Sequence, residues 1–223
     1  MNLEINIFSK EKIQESFCRI AKELFENYRL NINGNYYRLI DIEFYFNHPV
    51  FNNDKYPHCH ELQFKKEQWY FHGSGIDITI GQLGMPGGIL IRDIARLYDA
   101  PMLKNDFMKE AIGGPNLVKT EIFSNFKEVF SGYSNIMRFE DIHSDRSNSY
   151  IKIPDYIIKT HRLGLNPNSD NKEDKFHREK LRYVIFPYLK NIRNKIQIAT
   201  DMKTQFNLSN EEIKKYFGYK ILS

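Results

Sequence analysis

The sequence predicts a single α+β domain with a curved antiparallel β-sheet surrounded by helices. Three observations lead there. Ile13, Phe17, Ile20, Leu24 and Tyr28 fall at helical spacing with Lys, Glu and Arg between them, so the chain opens with an amphipathic helix over 10–29. Strand-like stretches then follow one another without the strand–helix alternation of parallel sheets, which makes the sheet a meander. Finally, 223 residues with 41% hydrophobic content suffice for one substantial core, and no repeat, low-complexity tract or linker divides them.

Ser9 is placed to cap the first helix, and Asn33-Gly34-Asn35 is a turn signal. From Tyr36 the pattern becomes a strand, Tyr-Tyr-Arg-Leu-Ile-Asp-Ile-Glu-Phe-Tyr-Phe. Its alternation puts Leu39, Asp41, Glu43 and Tyr45 on one face and Ile40, Ile42 and Phe44 on the other. Residues 46–66 read as a loop. Strands are expected at 68–72, 76–80 and 88–94, with Gly73-Ser74-Gly75 marking a bulge or a close backbone approach. Gly114-Pro115 opens a helix with proline at its first position. The chain then reads as polar and irregular to about Asn148, and 166–179 as a surface excursion. A late strand is expected over 182–188, and a short helix over 209–217, where Ser209 and Glu212 are spaced as a capping box.

The formal net charge of +4 permits a nucleic-acid partner without demanding one, and 14 Tyr with 17 Phe suit base stacking as well as core filling. Cys18 and Cys59 lie far apart and in no CxxC motif, which fits a reducing compartment. The N-terminus has no basic region followed by an apolar run, and no window has the apolar length of a membrane span. The expectation is a cytoplasmic, monomeric protein that does not engage a membrane.

Several residues invite chemistry. Glu43 lies between Ile42 and Phe44 on a strand, and a buried carboxylate is costly unless it is paired or hydrogen-bonded. Arg92 sits inside the apolar run Ile89–Ile94, where it wants an anionic partner such as Glu43 or Asp77; an outward-facing Arg is the alternative. His58-Cys59-His60, with His48 upstream, suggests a metal, but no third or fourth ligand stands at recognisable spacing, so a polar loop over a site is the better reading.

Taken together these segments resemble the alkyladenine DNA glycosylase family. Asp41-Ile-Glu-Phe-Tyr45 resembles its E-T-E-A-Y strand, Ile76-Asp-Ile-Thr79 its M-N-I-S strand and Leu90-Ile-Arg-Asp-Ile94 its L-L-R-A-L strand. Gly113-Gly-Pro-Asn-Leu117 is similar to its S-G-P-S-K-L helix start, and Arg162-Leu-Gly-Leu165 with Lys180-Leu-Arg-Tyr-Val184 to R-V-G-V and K-P-L-R-F-Y. Their order across residues 39–186 carries the resemblance more than any one motif. It implies a monofunctional DNA glycosylase that flips a damaged or modified base and hydrolyses its N-glycosidic bond, with no metal or organic cofactor. Glu43 would activate the water, Arg92 and the backbone carbonyl of Leu163 would hold it, and Tyr45 would stack on the base. Trp69 and either His58 or His60 would complete the sandwich, Asp77 would read the base where the family has Asn, and Tyr70 or His72 would be the wedge that fills the gap in DNA. Gly73 and Gly75 suggest a roomier or differently shaped pocket than one built for alkylated purines. Two alternatives stand beside this reading. One is excision of a bulky hypermodified base from bacteriophage DNA as antiviral defence, and the other is a non-catalytic DNA-binding module.

Overall fold

The computed structural model describes residues 1–97, 111–130, 132–143, 154–165 and 176–221. Helix α1 (Lys10–Asn27) is capped by the Ser9 side chain, which accepts from the Lys12 N–H. It ends two residues before the periodicity suggests. Tyr28 is already extended and opens β1 (Tyr28–Ile32), because the run Tyr-Arg-Leu-Asn-Ile finds ladder partners on both sides. Strand β2 (Asn35–His48) is the spine of the sheet. It is followed by β3 (Asn52–Asn53), a 3-10 turn at Glu61–Phe64, β4 (Lys66–His72), β5 (Gly75–Ile80), β6 (Gly87–Leu97) and β7 (Ile112–Gly113). Helix α2 (Pro115–Ser124) follows, with Pro115 at its first position. The described chain continues through β8 (Met137–Asp141), β9 (Ile158–Thr160), β10 (Arg182–Val184), α3 (Lys195–Phe206) and α4 (Asn210–Phe217). The Ser209/Glu212 capping box of α4 is formed in both directions.

These elements make a single α+β domain in which a curled antiparallel sheet forms a half-barrel, with four α-helices among the described residues. The sheet order is β4-β5-β6-β2-β1-β8, and β9 with β10 joins the free edge of β2 beyond β1. Four parts of the sequence reading change. The stretch taken as loop at 46–66 gives up its first residues to β2 and contains β3. The irregular stretch after Tyr133 contains β8. The late strand stops at Val184 instead of reaching residue 188. The Gly73–Gly75 stretch is a two-residue hairpin turn, His72 pairing with Gly75, and not a bulge. Most of the expected surface excursion, 166–175, lies outside the described residues.

Real bulges sit between β2 and β6. Leu39 faces Ile94, Asp41 faces Asp93 and Ile42 faces Ile91, so Ile40 is an extra residue on one strand and Arg92 an extra residue on the other. Their carbonyls are satisfied off the ladder, that of Ile40 by the Ile185 N–H and that of Arg92 by the Gly114 N–H, each at 2.9 Å. The two insertions cancel, so alternation is restored beyond them.

The apolar face of the sheet carries Ile42, Phe44, Phe46, Ile78 and Ile91, and α1 lies on it. The Phe17 ring stacks on Phe44 at 4.6 Å and meets Phe46 edge-on. The core therefore sits on this side, and the opposite face is left to polar side chains. Among the described residues no helix is long and apolar enough to cross a membrane.

Candidate active site

Directly paired residues of an antiparallel sheet point to the same face. One such row crosses the half-barrel: Tyr70 on β4, Asp77 on β5, Leu90 on β6, Glu43 on β2, Arg182 on β10 and Thr160 on β9. Every member is buried, yet only Leu90 is apolar. A row of buried polar groups costs stability unless each finds a partner, so its hydrogen bonds define what the face can do.

Glu43 is fully buried and holds three donors. The Leu163 N–H donates to Oε1 at 2.7 Å; the Tyr45 hydroxyl and Arg92 Nη1 donate to Oε2 at 2.7 and 3.2 Å. Arg92 lies two residues beyond Leu90, the direct partner of Glu43, and so reaches the same face of the sheet at the irregularity in the ladder. Burial pushes the Glu43 carboxyl above its ordinary range. Arg92, Leu163 and Tyr45 pull it back part of the way, and nearby Asp41 pushes it up again. The Tyr45 phenol is itself driven up, by burial and then by Glu43, and stays a proton donor.

Behind Glu43 the Arg182 guanidinium grips Asp41 in a two-pronged pair at 2.6 to 3.0 Å and donates to the Arg193 carbonyl at 3.1 Å. Arg162 makes a similar grip on Asp54. Opposite Asp41 lies Asp93, whose Oδ1 accepts from the Gly114 N–H at 2.7 Å while its buried Oδ2 has no hydrogen-bond partner among the described residues. Burial first, and the facing Asp41 second, push Asp93 up to about 8. An acid whose folded value is raised stabilises the fold below its unfolded value, and that contribution is lost as pH rises through the folded value. Asp93→Asn keeps the acceptor for Gly114 and removes the cost of ionisation. Its melting temperature should match wild type near pH 4 and exceed it increasingly up to about pH 9, by the equivalent of a few kcal/mol. Parallel pH dependences of the two proteins in a calorimeter would contradict this.

On the other side of Leu90, Asp77 accepts from Gln63 Nε2 and pairs with His72 Nε2, each at 3.0 Å. Because His72 Nδ1 accepts from the Ser74 N–H, the ring carries its proton on Nε2 when neutral and donates it to Asp77. Residue 88 must be glycine here, since a Cβ would come within 2.7 Å of Asp77 Oδ2. Beside this group stands a wall of rings. Tyr70 lies between His60 at 4.7 Å and His72 at 5.1 Å, and the His58 ring meets His72 edge-on at 4.5 Å. Burial and the neighbouring His72 push His58 below the usual histidine value, which keeps it neutral at pH 7.

Most of the residues expected from sequence converge. Glu43, Tyr45, Arg92 and Leu163 meet in one cluster, and His58, His60, Tyr70, His72 and Asp77 in a second, with one strand between them. Four expectations are corrected, and Leu163 makes a contact that was not expected. Trp69 pairs with Ile78 and so points to the opposite face, where its Nε1 donates to the Met137 carbonyl and its ring stacks on Phe139. It cannot sandwich a base at Glu43. Tyr70 and the His72 side chain are both buried in the ring wall, so neither projects as a wedge; the hairpin tip beyond them is Gly73-Ser74. Leu163 reaches Glu43 through its N–H, in addition to any use of its carbonyl. The Asp77 carboxylate is taken up by Gln63 and His72 and is not presented to a base by itself. Gly75 does not enlarge a pocket, because a Cβ there would strike Pro115 of α2 at 2.7 Å and Leu90 at 2.8 Å. His48 caps its own turn through the Val50 and Phe51 N–H groups. Among the described residues no three His, Cys, Asp or Glu side chains converge as metal ligands.

Gln63, Asp54 and Asp93 were not anticipated as parts of this face, nor was the pairing of Asp41, which was expected beside Glu43, with Arg182. Arg162 and Arg182 did lie in motifs already singled out, whereas Gln63 and Asp54 carry no local signal. What the cluster offers chemically is a desolvated carboxylate with fixed donors, able to take a proton from water and to stabilise positive charge facing it.

The fold and this face thus define a half-barrel α+β protein with a buried, hydrogen-bonded carboxylate at the centre of one sheet face. No protein-family model matches the chain. It is 26% identical, over 169 aligned positions, to an uncharacterised protein of Acanthamoeba polyphaga mimivirus, covering 59% of this chain and 76% of the relative.

Proposed function

We propose that the protein is a monofunctional DNA N-glycosylase. The observation that carries this reading is the fully buried Glu43 with three donors, at the centre of a sheet face and on the strand that resembles the water-activating strand of the alkyladenine DNA glycosylases. A base inside duplex DNA must first be extruded, at an unstacking cost of about a few kcal/mol. Glu43 then accepts a proton from water as that water adds to the sugar, and its charge stabilises the developing oxocarbenium ion. Arg92 and the Leu163 carbonyl, the groups the resemblance assigns to the water, orient it. Tyr45 and the ring wall of His58, His60 and Tyr70 hold the base. Lys119 has its ammonium tied to the carbonyls of His72 and Gly73, so it serves the hairpin and not Schiff-base chemistry.

One observation favours a second substrate reading, a bulky modified base such as those of bacteriophage DNA. Cationic alkylated purines are best held by electron-rich carbon rings. Here the wall is largely imidazole, which can exchange hydrogen bonds with a polar substituent. The test is to incubate the protein with alkylated, deaminated and phage-modified DNA and to measure free base by mass spectrometry and abasic sites by alkaline cleavage. Released base with a matching number of abasic sites is expected on at least one substrate. Release from none would end the enzymatic reading, and binding without release would leave a DNA-binding module.

A further inference from the structure

Arg162 is among the most confined side chains of the protein. Its guanidinium is completely buried, and its two terminal nitrogens meet the two carboxylate oxygens of Asp54 at 2.7 and 3.2 Å. The same nitrogens donate to the carbonyls of Phe44 at 3.1 Å and Phe176 at 3.2 Å. The plane lies over the Tyr45 ring at 4.5 Å and over the Tyr56 ring at 5.3 Å. An ion pair that only stabilised the fold would not need to grip the strand carrying Glu43 at the two residues that follow it. Arg162 does so, at the Phe44 carbonyl and the Tyr45 ring.

From this we propose that Arg162, aimed by Asp54, is the positioning residue that assembles the donor set around Glu43. The inference rests on the reading of Glu43 as the water-activating group. Arg162 acts through two arms. The first is covalent: the next residue is Leu163, and its N–H reaches Glu43 Oε1 only because the Arg162 side chain ties this loop to β2 at Phe44. Gly164, at φ +74, then turns the chain away in a left-handed conformation that favours glycine. The second arm is the stack, which fixes the Tyr45 ring so that its hydroxyl meets Oε2 at 2.7 Å. Two of the three donors on Glu43 thus depend on one guanidinium that does not itself hydrogen-bond to the carboxylate. Asp54 fixes the rotation of that guanidinium, because a two-pronged pair admits one orientation.

The test is the titration of Glu43, followed by carboxyl carbon NMR in glutamate-labelled protein and assigned with Glu43→Gln. Removing the negative charge at residue 54 would by Coulomb's law alone lower the Glu43 midpoint. Loss of the Leu163 and Tyr45 donors would instead raise it, by about one pH unit for each hydrogen bond to the charged form. In Asp54→Asn the midpoint should therefore climb, and the acid limb of base release with it. Ile198→Val, a buried change on α3, should lower stability and leave the midpoint in place. A folded Asp54→Asn whose midpoint stays put or falls overturns the proposal. Should that variant not fold, the neutral pair Asp54→Asn/Arg162→Gln decides on the same criterion, since it leaves no lone cation. If wild type releases no base while the midpoint climbs, the glycosylase reading fails and the positioning role stands. Release of base by wild type together with an unmoved midpoint keeps the glycosylase reading and ends the positioning role.

Discussion

Glu43→Gln is expected to abolish base release while leaving the fold and DNA affinity in place. Glutamine has the volume of glutamate and still presents an oxygen to the Leu163 N–H or the Tyr45 hydroxyl, so the donor cluster loses a charge and not its shape. On the proposed mechanism, what disappears is the group that takes a proton from water and faces the positive sugar. A rate loss of about 10²- to 10⁴-fold is the range for removing a general base, and lost electrostatic stabilisation adds to it. The measurement is single-turnover release of free base, with DNA affinity determined in parallel. Wild type should also lose activity as pH falls, with a midpoint above the ordinary carboxylate range, because the base must be ionised and burial holds Glu43 in its protonated form to higher pH. An active Glu43→Gln protein would refute the role of this residue. An inactive one that no longer binds DNA would point to binding and not to catalysis.

Arg182→Met should cost more stability than Glu43→Gln, which strands Arg92 but keeps the side-chain volume and a neutral acceptor for the remaining donors. Arg182 and Asp41 are both buried, and their pair joins β10 to β2 immediately behind Glu43. Breaking a buried pair from one side leaves an uncompensated charge, typically a loss of about 3–5 kcal/mol. Asp93, which faces Asp41, is kept largely protonated at neutral pH by burial, so the stranded charge is that of Asp41 alone. Adding Asp41→Asn to the same protein removes the stranded charge and should recover a large part of the deficit. Chemical denaturation of the three proteins checks this. A single variant within about 1 kcal/mol of wild type would show that water reaches the pair and screens it.

How much of this could be read from sequence depended on whether the signal was local. Glu43 and Tyr45 were legible because strict alternation through Ile42, Phe44 and Phe46 fixes their face without knowledge of any partner. The caps at Ser9 and Ser209 and the proline of α2 were legible for the same reason. Trp69 was misread because its face depends on pairing with β5, and a shift of one residue moves a side chain to the other side. Strand β1 escaped notice because its first residue continues the helical periodicity of α1, and β8 because it is five residues long and its partner β1 is more than 100 residues away in sequence. The grip of Arg162 on Asp54 spans 108 residues and leaves no periodic trace. The glycines at 73 and 75 were visible, but their reason was not. Only the approach of Pro115 shows that Gly75 makes room for a helix and not for a ligand.

The paired insertions at Ile40 and Arg92 bear on how such a protein can change over generations. Either insertion alone would slide one strand by a residue and exchange its faces, presenting Phe44 and Phe46 to the polar side and Glu43 to Phe17. Descent through a single deletion at one of these positions is therefore closed, while simultaneous loss of both would keep the core and take away the guanidinium that holds Glu43. Lineages that kept this fold but abandoned its chemistry should be recognisable by the absence of both residues together.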